Sequence, residues 1–331
     1  MRKEVLQRAR RIKGAASSKG AHSAIHFFTY QGLHLVRKKI YSLEKSQHVK
    51  QEYDVLKFVS STAAAPKPLA YDPESRTIVM ERVFGKPFNE IQSVDLQKLA
   101  NTIGSVHALE FKKLGKQPFR DFHRIPSDQL KAIRKQIRRM ETILNQLQRS
   151  TQPEAGAIFS LIQEAIRLSK KRLRAKKPAF LHRQFSVIHR DLSPRNILVD
   201  RNGNIVLVDW AESAVGDRAV DLAKLFATNH FTPEQEKEFL AHYRKKIHDI
   251  GLVDRIFVYK PLSVANTLLW RIQRLNEFSS GTKHPSLRAK SWRRKSITRI
   301  KEMMVELRES YFQNIPARLL SEGISAVDGL A

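Results

Sequence analysis

The sequence predicts an α+β protein of two lobes, a small strand-rich N-terminal part and a large, mainly helical C-terminal part. Three observations carry that expectation. Apolar runs with β-branched and aromatic residues gather early in the chain, as His26-Phe27-Phe28-Thr29-Tyr30, Leu33-His34-Leu35-Val36 and Thr77-Ile78-Val79-Met80. Beyond them the apolar residues recur at helical spacing, first as Leu96, Leu99, Ile103, Val106 and Leu109. Later comes VIHRDLSPRNILVDRNGNIVLVD, Val187 to Asp209, where Ile197 to Val199 and Ile205 to Val208 flank the turn signal Asp200-Arg201-Asn202-Gly203-Asn204 and so form a hairpin.

Taken in order, residues 1–14 are arginine-rich with one acidic residue and read as a short basic surface helix rather than a transit peptide. The two early strands meet at Gln31-Gly32, and the turn before them, Ser17 to Ser23, holds Gly20 and Ser23, whose backbone could approach a phosphate closely. Leu35-Val36-Arg37-Lys38-Lys39 ends the next strand in cations. Side chains alternate along a strand, so neighbouring cations point to opposite faces. Val49, Tyr53, Leu56 and Val59 mark a helix that carries Glu52 beside its apolar stripe. Ala63 to Pro68 cannot continue that helix, and Glu81 to Pro87 has the composition of a linker.

Leu130, Ile133, Ile137, Met140, Leu144 and Leu147 define one basic amphipathic helix and residues 157–176 a second, together a basic insertion over 127–178. Further helices are expected over 218–228, 233–250, 254–276 and 287–311. His107 reads as a packing histidine, since no partner stands at metal-ligand spacing.

Composition bounds the chemistry. At 331 residues, 41% of them hydrophobic, the chain can bury packed cores. It has no cysteine, which excludes disulfides, thiolate nucleophiles and zinc–thiolate sites. No apolar run is long enough to span a bilayer, and a cytoplasmic protein, peripheral at most to the inner membrane surface, is expected. The formal charge of +28 attracts phosphates, anionic lipid or nucleic acid and repels polycations.

The order His189-Arg190-Asp191, then Asn196, then a hairpin ending in Asp209 resembles the catalytic and metal loops of the protein-kinase-like fold. The continuation Trp210-Ala211, Asp217 and Asp221-Leu222-Ala223 is similar to the aminoglycoside phosphotransferase and choline kinase branch, where protein kinases carry Phe-Gly. The resemblance implies a bilobal fold, with an antiparallel-sheet N-lobe and hinge over 15–85 and a helical C-lobe over 86–331 containing the catalytic hairpin 187–209. It implies ATP and Mg²⁺ as cofactors, Asp191 as catalytic base, Asn196 and Asp209 as metal ligands, and His189 and Arg190 as structural members of the catalytic loop. Gly20 and Ser23 would lie at the phosphates, Met80, Glu81 and Val83 at the adenine. The phosphate-contacting cation, held by Glu52, is Arg37 by its fit to the pattern of two preceding apolar residues, with Lys38 as second choice.

Two departures from protein kinases point to a small-molecule kinase: Ser193 stands at the position of the catalytic-loop lysine, and Val215 to Asp221 leaves no room for an activation loop. The expected activity is transfer of the γ-phosphate of ATP to a hydroxyl of a small molecule. Charge favours an anionic acceptor such as a membrane-associated sugar, and nucleic acid is the less favoured partner. An atypical ribosome-associated protein kinase and a catalytically spent kinase-fold binding protein are the alternatives.

Overall fold

A computed structural model describes residues 2–12, 18–19, 23–41, 46–91, 95–110, 128–150, 156–181, 185–279 and 296–305. In chain order the elements are α1 (Arg2–Arg10), β1 (Ser18–Lys19), β2 (Ser23–Tyr30), β3 (Leu33–Ile40), α2 (Ser46–Val59), β4 (Pro68–Asp72), β5 (Thr77–Glu81), β6 (Gly85–Pro87) and α3 (Leu96–His107). They continue as α4 (Gln129–Ser150), α5 (Gly156–Ala175), β7 (Ser186–Ile188), β8 (Ile197–Asp200), β9 (Ile205–Leu207), β10 (Ala214–Gly216), α6 (Arg218–Thr228), α7 (Pro233–Arg244) and α8 (Leu252–Ser279). Residues 296–305 are helical. The α+β class expected from the sequence is the one observed.

The chain divides into two units, residues 1–125 with 184–249, and residues 126–183 with 250–331. The first is built on an antiparallel sheet of order β1-β2-β3-β5-β4. One sheet face is covered by α1: Val5 and Ala9, one helical turn apart, pack on Leu35, Ala70 and Val79. The expected basic surface helix is thus half surface and half core. At its C-terminal end Arg10 Nε donates to Asp72 Oδ2 at 2.7 Å, binding the helix to β4.

Below the sheet, β6, β8 and β9 form a second sheet, so Gly85 to Pro87, read from composition as linker, pairs instead with Leu198 to Asp200. A Cβ at Gly85 would lie 2.7 Å from the Val199 carbonyl oxygen, and only glycine permits that strand approach. β7 pairs with β10. Asp95, Asp217 and Thr232 cap α3, α6 and α7, the last in a reciprocal capping box with Gln235. The helix expected over 233–250 stops at Arg244, where Lys245 and Lys246 make a turn.

In the second unit α5 packs on α4 and α8. Leu130, Ile133, Ile137, Met140, Leu144 and Leu147 are buried, while Lys131, Arg134, Lys135, Arg138 and Arg139 are exposed, the separation that the helical spacing predicts. Arg255 of α8 is fully buried and donates to the Ala179 and Ile250 carbonyls at 3.0 and 2.9 Å, which satisfies part of its guanidinium. Among the described residues no helix is long and apolar enough to cross a membrane.

Candidate active site

Strand alternation sorts the cations of β3. Lys38 lies in register with Ile25 of β2 and Ile78 of β5, on the face opposite α1, while Arg37 lies in register with His26 and Val79 on the α1 face. Lys38 Nζ donates to both oxygens of Glu52, at 2.6 and 2.9 Å, and to Asp209 Oδ1 at 2.6 Å. Arg37 Nη1 donates to the carbonyls of Ala9 at 2.6 Å and Ile12 at 3.3 Å, capping the end of α1. The preference for Arg37 as the cation paired with Glu52 is therefore corrected. That cation is Lys38, because α1 claims the other face.

One ammonium between two carboxylates sets the local charge. Burial alone would favour neutral Lys38, but Asp209 and Glu52 outweigh it and raise its pKa above the ordinary lysine value. Attraction by Lys38 pulls the Asp209 carboxyl down to about 2. Glu52, only 1% exposed, is pushed up by burial against the pull of Lys38. Asp209 is the solvent-facing member, with 53% of its side chain exposed.

The loop after β7 is held by its backbone. The Asp221 carboxylate accepts the backbone N–H groups of His189 at 2.7 Å and Arg190 at 2.6 Å, and His107 Nε2 at 3.1 Å. His107 Nδ1 lies 2.6 Å from the Tyr243 hydroxyl. Because a carboxylate only accepts, Nε2 carries the proton of a neutral imidazole and Tyr243 donates to Nδ1. Burial drives the His107 pKa down, consistent with that state. Burial also works against the charge on Asp221, yet the hydrogen bonds from His107 and the loop keep its pKa below the ordinary value. His107, expected as a packing histidine, is a link in this chain.

His189 is 1% exposed; its Nε2 meets the Val208 carbonyl at 3.0 Å, and its ring lies 4.5 Å from that of the fully buried Trp210. Asn196 Nδ2 donates to Asp191 Oδ2 at 2.7 Å and to the Asp191 carbonyl at 2.9 Å, joining two of the predicted site residues directly. The Val208 N–H donates to the Asn196 carbonyl at 2.9 Å, which ties the loop to the residue before Asp209. Arg190 and Asp209 have left-handed φ of 65° and 64°. Such non-glycine conformations cost on the order of 1–3 kcal/mol and persist where surrounding bonds enforce them.

Around Asp191 stand two cations that the sequence reading did not select. Arg195 Nη2 lies 3.9 Å from Asp191 Oδ2, and Lys224 Nζ lies 3.9 Å from Asp191 Oδ1. A signal for Lys224 existed: it follows Asp221 by three residues on α6, so a helix face that meets the loop with Asp221 meets it again one turn later. Thr228, a further turn on, donates to the Leu192 carbonyl at 3.3 Å.

Of the remaining expected residues, Met80 is buried on the Lys38 face of β5, and Val83 is half-buried. The Glu81 backbone N–H donates to the Lys67 carbonyl at 2.9 Å and is committed within the fold. Ser23 opens β2, where its carbonyl accepts from the Tyr41 hydroxyl at 2.7 Å. Gly20 lies outside the described residues. Among the described residues no group of three or more His, Cys, Asp or Glu side chains could hold a metal ion by itself.

Comparison with known proteins follows the same lines. A mitogen-activated protein kinase kinase, SIPKK, of Nicotiana tabacum is 34% identical over 89 residues, 25% of this chain, and the match spans only a quarter (25%) of that protein. The solved choline kinase LicA of Streptococcus pneumoniae has a similar fold, with a TM-score of 0.59 and 17% identity over 93% of this chain and 98% of that one. So does an ADP-bound aminoglycoside phosphotransferase, APH(2'')-Ib, with a TM-score of 0.56 and 16% identity over 98% of both chains. These likenesses assign a protein-kinase-like fold. The model of the phosphotransferase enzyme family (APH) matches residues 20–253, and the chain belongs to that family.

Proposed function

We propose that the protein transfers the γ-phosphate of ATP to a hydroxyl group of a small molecule. The observation that carries this reading is the convergence of Lys38, Glu52 and Asp209, joined by contacts of 2.6 to 2.9 Å, in the same unit as the Asp191–Asn196 pair. Phosphoryl transfer asks of a protein mainly position and charge, and these residues supply both.

Lys38 takes the role of the cation at the nucleotide phosphates, oriented from behind by Glu52. The oxygen donors of Asp209 and the Asn196 amide suit Mg²⁺, which binds hard oxygen ligands and takes the rest of its shell from phosphates and water. When bound, the ion neutralises charge on the triphosphate. Asn196 spends its amide nitrogen on Asp191, so the group it would offer the ion is its side-chain oxygen, Oδ1. Asp191 orients the acceptor hydroxyl. The hydroxyl oxygen forms a bond to Pγ as the bond from Pγ to the β–γ bridging oxygen breaks; ADP leaves, and the acceptor proton passes to Asp191.

The test is transfer of label from γ-labelled ATP to a panel of sugars, amino alcohols and lipids. Transfer with wild type and a loss of about 10²–10⁴ in kcat for Asp191→Asn are expected. A protein that neither binds ADP nor hydrolyses ATP sinks the reading.

A further inference from the structure

The acceptor hydroxyl must come within hydrogen-bond reach of Asp191, so whatever charges surround that carboxylate also face the acceptor. Two positive charges do. Lys224 Nζ and Arg195 Nη2 lie 3.9 Å from its two oxygens, one on each side. They come from different elements, Lys224 from the middle of α6 and Arg195 from the helical turn Pro194–Asn196. Their settings differ as well: the Lys224 side chain is 15% exposed, in a place where water screens it poorly, whereas that of Arg195 is 69% exposed. Arg195 also acts on Asp209, whose carboxyl it helps to hold down.

Ser193, two residues after the base, contributes no charge, so both cations at this position enter from outside that residue. Lys224 is fixed by the turns on either side of it, since Asp221 binds the loop backbone and Thr228 binds the Leu192 carbonyl. Its side chain is thereby held beside Asp191.

We propose that Lys224 and Arg195 select the acceptor, and that the acceptor is a hydroxyl compound carrying its own phosphate or carboxylate group. This inference rests on the phosphotransferase reading and names the substrate class of the same site. Lys224 and Arg195 together outweigh the single Asp191 carboxylate between them, so an ammonium-bearing alcohol brought there meets a net positive charge, which disfavours it. An anionic group on the acceptor meets them as opposite charges and adds charge-assisted hydrogen bonds. The acceptor class thus differs from choline and the aminoglycosides, for which the similar folds are named.

Two matched sets test it: choline, glycerol and glycerol 3-phosphate, and glucosamine, glucose and glucose 6-phosphate. Binding of each probe to the ADP-loaded protein is measured by calorimetry, and transfer from γ-labelled ATP is measured in parallel. The expected order in both sets is anion over neutral over cation, with each step about tenfold. Lys224→Met combined with Arg195→Gln lowers the ratio of anionic-probe to neutral-probe binding about tenfold in both sets, and Lys224→Arg alone keeps the wild-type order.

Anionic probes that bind wild type no tighter than their neutral partners overturn the assignment, whether or not any probe is phosphorylated. So does a preference for choline or glucosamine. If ADP does not bind and ATP is not hydrolysed, the phosphotransferase reading fails by itself, and the binding order on the nucleotide-free protein still decides this one.

Discussion

Asp209 and Glu52 share the ammonium of Lys38. On the proposed reading, a magnesium–nucleotide complex would find there a cation for its phosphates and an oxygen donor for its metal. Lys38→Met is expected to lower kcat/KM for ATP by about 10²-fold, the scale of one preorganised electrostatic donor. Arg37→Met is expected to leave turnover within about threefold and to lower stability by ~1–3 kcal/mol, because a buried and a part-buried carbonyl at the end of α1 lose the Arg37 donor. Steady-state kinetics and urea melts of the two variants separate the roles. His107 gives a pH signature. Its folded pKa lies below the ordinary 6.5, so the unfolded chain binds more protons there, and the stability contributed by the neutral imidazole is complete above 6.5 and lost as pH falls below it. His107→Gln is expected to flatten that part of the urea-midpoint profile between pH 7 and 5.

Helix α6 acts as one element on the loop after β7. Asp221, Lys224 and Thr228 fall on one face at successive turns, and all three reach the loop: its backbone, Asp191 and the Leu192 carbonyl. The start of the helix is set by Asp217, whose side chain accepts the Ala219 N–H at 3.0 Å. Asp217→Ala removes that cap, and an expected loss of about 1 kcal/mol in the urea melt comes with a fall in kcat larger than the fall in affinity for ADP, since the loop loses alignment while Lys38 and Glu52 do not. Helix α1 plays the corresponding part behind the sheet. Its Val5 and Ala9 cover Leu35 of β3 and Val79 of β5, the strands that carry Lys38 and Met80 on the other face.

At the scale of the whole molecule, acid stability follows from carboxylates held far down. Hydrogen bonding to Arg10 holds Asp72 at about 2, and Lys38 holds Asp209 at about 2, both from an ordinary 3.8. A depressed carboxylate stabilises the folded state above the unfolded pKa, so both contributions are complete above about pH 4 and are lost as pH falls from 4 toward 2. Urea midpoints measured across that window are expected to fall steeply in wild type and less steeply in Arg10→Ala. Nucleotide works in the opposite direction: magnesium–ADP at about a hundred times its Kd is expected to stabilise the protein by ~2.7 kcal/mol, a shift absent in Asp209→Ala.

The sequence by itself determined the hairpin, the polar residues at its edges and the alternation that separates Arg37 from Lys38, because strand period and turn chemistry are local properties. The helical stripe from Leu130 to Leu147 was legible for the same reason. Only the tertiary structure decided which face of β3 looks toward Glu52 and Asp209. Both faces of that strand are covered, one by α1 and one by Glu52 and Asp209, so burial alone cannot orient it, and the packing of α1 settles the matter. The strand at the end of the stretch read as linker, β6, was hidden likewise, since its strand character lies in its partner β8. Lys224 and Arg195 lie apart in sequence and meet at Asp191 only because α6 docks beneath the loop: a charge acts through space on whatever the fold brings near, and the order of residues along the chain does not encode that distance.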